Sequence, residues 1–323
     1  MSHRRTVVRL PAVPPVAALA AGLLTLLLST TGCGRGGVES APARRPIVLI
    51  SIDTLRSDRL PAYGYDGVET PALDALREDS ILFERAYAHV PLTLPSHASL
   101  LTGLLPPDHG VRDNAGYRLA KEAGTTLAER LGSSGYATGA AVSAFVMRAE
   151  TGLARGFDHY DDELAAGASA TIGEIQRPGG RTLDAALEWI DTLDERPFFL
   201  FFHIYEPHTP WTPPPELAAR YGDTYDGDVA AADAVIGRLL AALRERDLYE
   251  RSTVILLSDH GEGLGDHGEK EHGVLLYRED LQVPLLVKLP GNRRAGSSVA
   301  EPVQLVDVAP TVLELAGLEP MTP

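Results

Sequence analysis

Three stretches of the chain are almost wholly apolar and run straight into charged or polar residues. Ile47–Ile52 (IVLISI) leads to Asp53, 198–204 (FFLFFHI) leads to Glu206 and His208, and 253–258 (TVILLS) leads to Asp259 and His260. Runs this short, β-branched or aromatic and lacking polar alternation, are the pattern of strands buried on both faces of a parallel sheet. Residues 284–287 (PLLV) read as a further strand, and 136–142 as a weaker one. Helical patterns separate the strands. Thr70 is expected to cap a helix opened by Pro71, and 125–131, 183–193 and 305–315 read as helices. The longest covers 229–243, where Val229, Ala232, Ile236, Leu239, Leu240 and Leu243 share one face. The alternation predicts an α/β sandwich around a mostly parallel sheet, a fold in which ligands sit beyond the carboxyl ends of the strands. One such polar residue would be unremarkable, but several strands of one sheet deliver their ends to one place.

Charge narrows the chemistry. Among 323 residues, Lys and Arg total 29 against 44 Asp and Glu, for a net charge of −15. Such a field repels polyphosphate backbones, so nucleic acid is not an expected partner. A small anionic substrate must then be drawn in by a local positive centre such as a metal ion. The only cysteine, Cys33, excludes an intramolecular disulfide and any CxxC site. It follows a basic segment (Arg4, Arg5, Arg9), an apolar run (Val16–Leu28) and the small residues Ser29 to Gly32. That run is shorter than the roughly 20 residues a membrane span needs. The segment resembles a bacterial lipoprotein signal, although Thr30 stands where a leucine is usual. The expected organisation is a signal peptide over 1–33 with lipidation at Cys33, a tether over 34–45 rich in Gly, Ala, Pro and Ser, and a catalytic domain over 46–323. It implies an extracytoplasmic protein, periplasmic or at the cell surface, held to the membrane by its lipid.

A fourth element is Val90–Gly103 (VPLTLPSHASLLTG). Pro95 suits the first position of a helix, which would leave Thr93 just ahead of a helix N-terminus, where negative charge is favoured. Alone, Thr93 would be an ordinary N-cap. Seven segments, however, occur together: ISIDTLRSDRLPAYGY, TPALDALREDSILFERAYA, LTLPSHASLLTG, HGVRDN, FFLFFHIYEPHTPW, SDHGEGLGDHG and LQVPLLVKLPG. Their order and spacing from Pro46 onward resemble the sulfatase family of the alkaline phosphatase superfamily. The resemblance implies an alkaline-phosphatase-like α/β/α sandwich, with the C-terminal subdomain absent or truncated. It implies Asp53, Asp259 and His260 as metal ligands, with the nucleophile Thr93 also touching the ion. His208 and His272 would hold the substrate oxyanion or protonate the leaving group. Asn114, His97 and Lys270 would bind substrate. Glu262 and His267 read as a polar loop, and His109 as the brace of a turn.

One departure from the family matters chemically. Sulfatases carry Cys or Ser at the first position of CxPSR and convert it to formylglycine, whereas this chain has Thr93-Leu94-Pro95-Ser96-His97. Threonine bears a methyl on Cβ, so its oxidation yields a ketone, and no aldehyde can form. A threonine nucleophile resembles instead the phosphodiesterases, phosphonate-ester hydrolases and phosphoethanolamine transferases of the superfamily, and implies a phosphothreonine intermediate. Two carboxylates, an imidazole and an alkoxide suit Zn²⁺ or Mn²⁺, with Ca²⁺ as the alternative, and a single ion is expected because no Asp-x-x-x-His segment offers a second site. The expected activity is hydrolysis of phosphate mono- or diesters. A strict sulfatase, a headgroup transferase and a non-catalytic anion-binding lipoprotein remain the alternatives.

Overall fold

The centre of the molecule is β1 (Ile47–Ile52), whose six residues are all buried because it is paired on both sides by other buried strands. The computed structural model describes residues 44–164 and 175–321. The leader, Cys33 and all but the last two residues of the tether therefore lie outside the described residues, as do 165–174. The remaining strands are β2 (Ile81–Phe83), β3 (Ala86–Tyr87), β4 (Ala137–Ala141), β5 (His159–Asp161) and β6 (Phe198–Ile204). They are followed by β7 (Thr253–Ser258), β8 (Gln282–Val283), β9 (Leu285–Lys288), β10 (Ser298–Val299) and β11 (Val303–Gln304). The main sheet has eight strands in the order β10-β2-β9-β7-β1-β6-β4-β5, and β3, β8 and β11 form a small second sheet.

β1 pairs in parallel with β6 and β7, while β9 runs antiparallel to both β7 and β2. The sheet is thus mostly parallel. Residues 284–287 do mark a strand, but an apolar run carries no sign of direction, and this one is reversed.

The helices are α1 (Pro71–Glu78), α2 (Thr93–Thr102), α3 (Pro106–His109), α4 (Leu127–Ser133) and α5 (Gly179–Asp191). After them come α6 (Pro215–Tyr221), α7 (Tyr225–Glu245), α8 (Arg278–Leu281) and α9 (Val308–Leu315). Alternate strand residues point to opposite faces. Ile47 and Leu49 of β1, Phe199 and Phe201 of β6, and Ile255 and Leu257 of β7 join a core with α2, α4 and α9. Val48, Ile50 and Ile52 join a second core with α1, α5 and α7. The expected three-layer sandwich follows. Among the described residues no helix is long and apolar enough to cross a membrane.

Two helix starts differ from expectation. Thr70 precedes Pro71 as predicted, yet its hydroxyl caps no backbone group and donates instead to Asp74, 3.3 Å away. In α2 the first helical residue is Thr93 itself, with Leu92 ahead of it and Pro95 in third place. Proline fits anywhere in a first turn, because those N–H groups have no intrahelical partner to lose. At α4, by contrast, Thr126 and Glu129 form a reciprocal capping box.

Candidate active site

The alternation that divides the cores also aims the polar residues. On β1, Ser51 shares the face of Leu49 and directs Asp53 toward α2, and on β7 the same parity sends Asp259 there. His260 follows at the carboxyl end of β7. All three of Asp53, Asp259 and His260 are 0% exposed, and a ligand atom from each lies within 4.8 Å of the others. Thr93 enters from the N-terminus of α2, its Oγ1 3.3 Å from His260 Nε2. His260 Nε2 is also 3.7 Å from Asp53 Oδ1 and 3.4 Å from Asp259 Oδ2.

The protonation pattern at His260 follows from its partners. Nδ1 lies 2.9 Å from the Gly261 carbonyl, which can only accept, so Nδ1 carries the proton and Nε2 presents a lone pair. Burial, and then the charge of His272, push this imidazole well below its ordinary pKa. A lone pair thus faces carboxylates whose own oxygens, Asp53 Oδ1 and Oδ2 and Asp259 Oδ2, are buried without a hydrogen-bond partner. Desolvating one unpaired carboxylate costs several kcal/mol. Burial raises Asp53, but the close approach of His203, 3.4 Å away, and then of His208 outweighs it and holds the carboxyl low. Burial and the Asp53 charge push Asp259 well up. Three converging donors with unmet electron pairs fit a divalent cation, which would let both carboxylates stay charged.

The backbone around the cluster is tightly held. Thr54 is buried at φ 55°, a left-handed conformation that strains a β-branched residue. Its N–H donates to Asp259 Oδ1 at 3.3 Å, and its carbonyl accepts from Tyr225 of α7 at 2.8 Å. Ser96 of α2 donates to the Asp259 carbonyl at 2.7 Å, tying the helix to β7.

Above this floor stand two half-buried imidazoles. His272 lies with its ring centre 4.4 Å from that of His260 and 5.0 Å from that of His208. His208 stacks on Tyr205 at 4.3 Å, and its Nδ1 donates to the Thr209 carbonyl at 2.6 Å. Asn114 Oδ1 accepts the Leu94 N–H at 2.8 Å and so caps α2 directly beside Thr93.

Three sequence expectations require correction. His97 does not face substrate: it is wholly buried beneath Thr93, with Nδ1 2.7 Å from the Thr93 carbonyl and Nε2 2.9 Å from Ser51 Oγ. Burial pushes its pKa down to about 3, so it is a neutral brace. Lys270 is exposed and bonds to none of the cluster: it lies on the returning arm of the loop between Glu269 and Glu271, whose carbonyls accept from Gly265 and Gly263. Glu206 turns away from the other strand ends, and its Oε1 accepts the Gly179 N–H at the start of α5, 2.9 Å away. His109 does brace its turn, through Ser99 and Val111.

Two buried residues escaped the sequence reading. His203 of β6 has its Nε2 3.4 Å from Asp53 Oδ2, and its Nδ1 accepts the Ser143 N–H at 3.4 Å, so the proton sits on the side of Asp53. Parity was the available signal, since Phe199, Phe201 and His203 share one face. Glu262, expected in a polar loop, is 0% exposed and bonds to His272. No local pattern announces it.

The sulfatase family model matches residues 45–318. The chain belongs to the sulfatase family. It is 26% identical to the arylsulfatase of Clostridium perfringens, over 84% of this chain and 75% of the relative. It is 27% identical to the ulvan-active sulfatase of Formosa agariphila, over 87% of this chain and 63% of that one. The phosphonate monoester hydrolase of Agrobacterium radiobacter shares the fold with a TM-score of 0.70, at 22% identity over 86% of this chain and 74% of the other. The chain is thus a sulfatase-family hydrolase of ester bonds with the alkaline-phosphatase-like fold.

Proposed function

We propose that the protein is a metal-dependent hydrolase of phosphate mono- or diesters that uses Thr93 as its nucleophile. The observation that carries this reading is the threonine hydroxyl, 3.3 Å from His260 Nε2 at the first residue of α2, beside carboxylate oxygens that lack partners. A bound divalent cation, Zn²⁺ or Mn²⁺ by the donor set of Asp53, Asp259, His260 and Thr93, would supply a Lewis acid that lowers the hydroxyl pKa and neutralises oxyanion charge. The α2 N-terminus favours the anionic ester over Thr93.

The residues of the chain then divide the chemistry. Thr93 Oγ1, its proton released to solvent, attacks phosphorus as the bond from phosphorus to the alcohol oxygen breaks. The departing oxygen takes a proton from Nε2 of His272 or His208, whose ring must then carry a proton on both nitrogens, since Nδ1–H is given to Glu262 or to the Thr209 carbonyl. Water cleaves the resulting phosphothreonine, returning the hydroxyl and releasing phosphate or a monoester. A sulfate ester on threonine would lack the elimination route that the formylglycine hydrate provides, which is why phosphorus is preferred.

The test is turnover of 4-nitrophenyl phosphodiesters by the purified protein with Mn²⁺ or Zn²⁺ added, and its loss by at least about 10³-fold in Thr93→Ala. Full activity in that variant would rule the mechanism out. A strict sulfatase is the second reading, favoured by the arylsulfatase and ulvan-active sulfatase among its relatives. It predicts aryl sulfate turnover that exceeds diester turnover, with no mass change at Thr93.

A further inference from the structure

The mechanism above gives no task to a wholly buried carboxylate in the loop after β7. Glu262 is 0% exposed, two residues beyond His260. Its Oε1 lies 3.2 Å from His272 Nδ1 and accepts the Gly263 N–H at 3.2 Å, while Oε2 has no hydrogen-bond partner. Holding a loop would require an acceptor for one N–H, which a small polar side chain at the surface provides without the cost of desolvating a carboxylate. The burial therefore demands another account.

The backbone that carries Glu262 is fixed on both sides. Gly261 donates to the Asp280 carbonyl at 2.8 Å, and Gly263 to the Glu271 carbonyl at 2.7 Å. Both glycines are required by close approach: a Cβ on Gly261 would meet the Glu279 carbonyl oxygen at 1.8 Å, and one on Gly263 would meet that of Glu271 at 2.4 Å. Beneath, the buried Arg56 guanidinium donates to the Glu262 carbonyl at 3.0 Å and pairs with Asp266 and Asp58, each at 2.8 Å. The second glycine contact joins Gly263 to Glu271, the residue before His272, so carboxylate and imidazole stand on facing arms of one clamped loop. With Nδ1–H given to Glu262, the only free ring nitrogen is Nε2.

We propose that Glu262 is a positioning residue for ester cleavage, which holds the His272 ring so that Nε2 faces the ester, and that it acts through that ring alone. The inference rests on the proposed function and adds a residue to it. Outer partners that orient a reacting imidazole are worth about ten- to a hundredfold in activity when removed. A residue that acts only through another leaves a particular signature: its removal costs nothing further once the other is gone.

The experiment is a double-mutant cycle on the full chain, with whichever of an aryl phosphodiester or an aryl sulfate the wild type turns over. Glu262→Ala is expected to lower kcat about ten- to a hundredfold with KM within about threefold, and Glu262→Ala/His272→Ala to be no slower than His272→Ala. Glu262→Gln, whose amide oxygen can accept the same proton, recovers most of the loss. If Glu262→Ala does not fold, Glu262→Met fills the space without an acceptor and takes its place. Losses that multiply in the double variant, or an undiminished kcat in the single one, overturn the proposal. Imidazole ¹⁵N NMR reads the ring without turnover: a proton on His272 Nδ1 is expected in the wild type and lost in Glu262→Met, and a wild-type ring protonated at Nε2 alone also overturns it. A wild type inert toward both esters defeats the functional reading, whatever the tautomer.

Discussion

Asp53, Asp259 and His260 stand at the carboxyl ends of β1 and β7, whereas His208 and His272 stand on loops above them. The first group is 0% exposed, and its separation is set by strand register: Ile52 lies opposite Ser258, so Asp53 and Asp259 follow side by side. Neither can move without sliding one core strand past another. The second group is half-buried, and it is positioned by single hydrogen bonds to Thr209 and Glu262. On the proposed function, the floor would hold and attack an anionic ester, while the rim, free to change with its loops, would decide which ester it is. A fold can keep the first and vary the second.

The largest effect expected from this division is at the floor. Asp53→Asn removes charge from the donor set and should lower kcat/KM about 10⁴-fold while abolishing Mn²⁺ binding by titration calorimetry. His208→Ala should cost about 10²-fold and leave Mn²⁺ binding intact. A rim variant that costs more than the floor variant, or that releases the metal, would break the division.

His203 offers a smaller and sharper test, since it touches neither substrate nor any proposed metal contact except Asp53. Its Nε2–H faces Asp53 Oδ2 at 3.4 Å. Its role would be to hold that oxygen so that the carboxylate presents Oδ1 to a cation. His203→Leu is expected to weaken Mn²⁺ binding about ten- to a hundredfold, with the folded state retained. His203→Gln, which can return an N–H to the same place, should recover most of it. Equal affinities in the two variants would mean that strand register alone holds Asp53.

The same division governs what could be read from the sequence. β1, β6 and β7 were legible within a residue because unbroken β-branched and aromatic runs have few other uses, and the residues after them therefore pointed to the floor. The start of α2 was misjudged because proline is tolerated at several first-turn positions, so Pro95 does not mark the first. The direction of β9 was invisible because apolar composition is the same read either way. His203 lies inside FFLFFHI, an unbroken apolar run in which the two-residue period that places it with Ser51 and Asp53 does not show as alternation. Glu262 and Lys270 lie eight residues apart in one acidic loop. Which of them is buried depends on Arg56, Glu271 and Asp280, contacts made across the fold. Long-range pairing of this kind leaves no local mark.

The smallest expected effect comes from a buried carboxylate outside the floor. Asp228, in the first turn of α7, is 2% exposed. Its Oδ2 accepts the Thr212 N–H at 3.3 Å, and Oδ1 has no hydrogen-bond partner. Unlike Asp53 it lacks surrounding imidazoles, and burial, opposed only in part by the Thr212 bond, pushes it up to about 7. In the unfolded chain the same group ionises near its ordinary value of 3.8. Between those values the folded state holds a proton that the unfolded chain has released, so stability falls as pH rises from about 4 to about 7, and the loss is complete above that. Asp228→Asn keeps an acceptor for Thr212 without the charge. It should stabilise the protein by about 1–2 kcal/mol at pH 8, by nothing at pH 4, and flatten the slope between, as read by urea unfolding. At the floor the corresponding Asp53→Asn would forfeit the stabilisation that added Mn²⁺ provides. Opposite signs for the two substitutions in the presence of metal would separate a carboxylate buried for a cation from one buried by the packing of a helix.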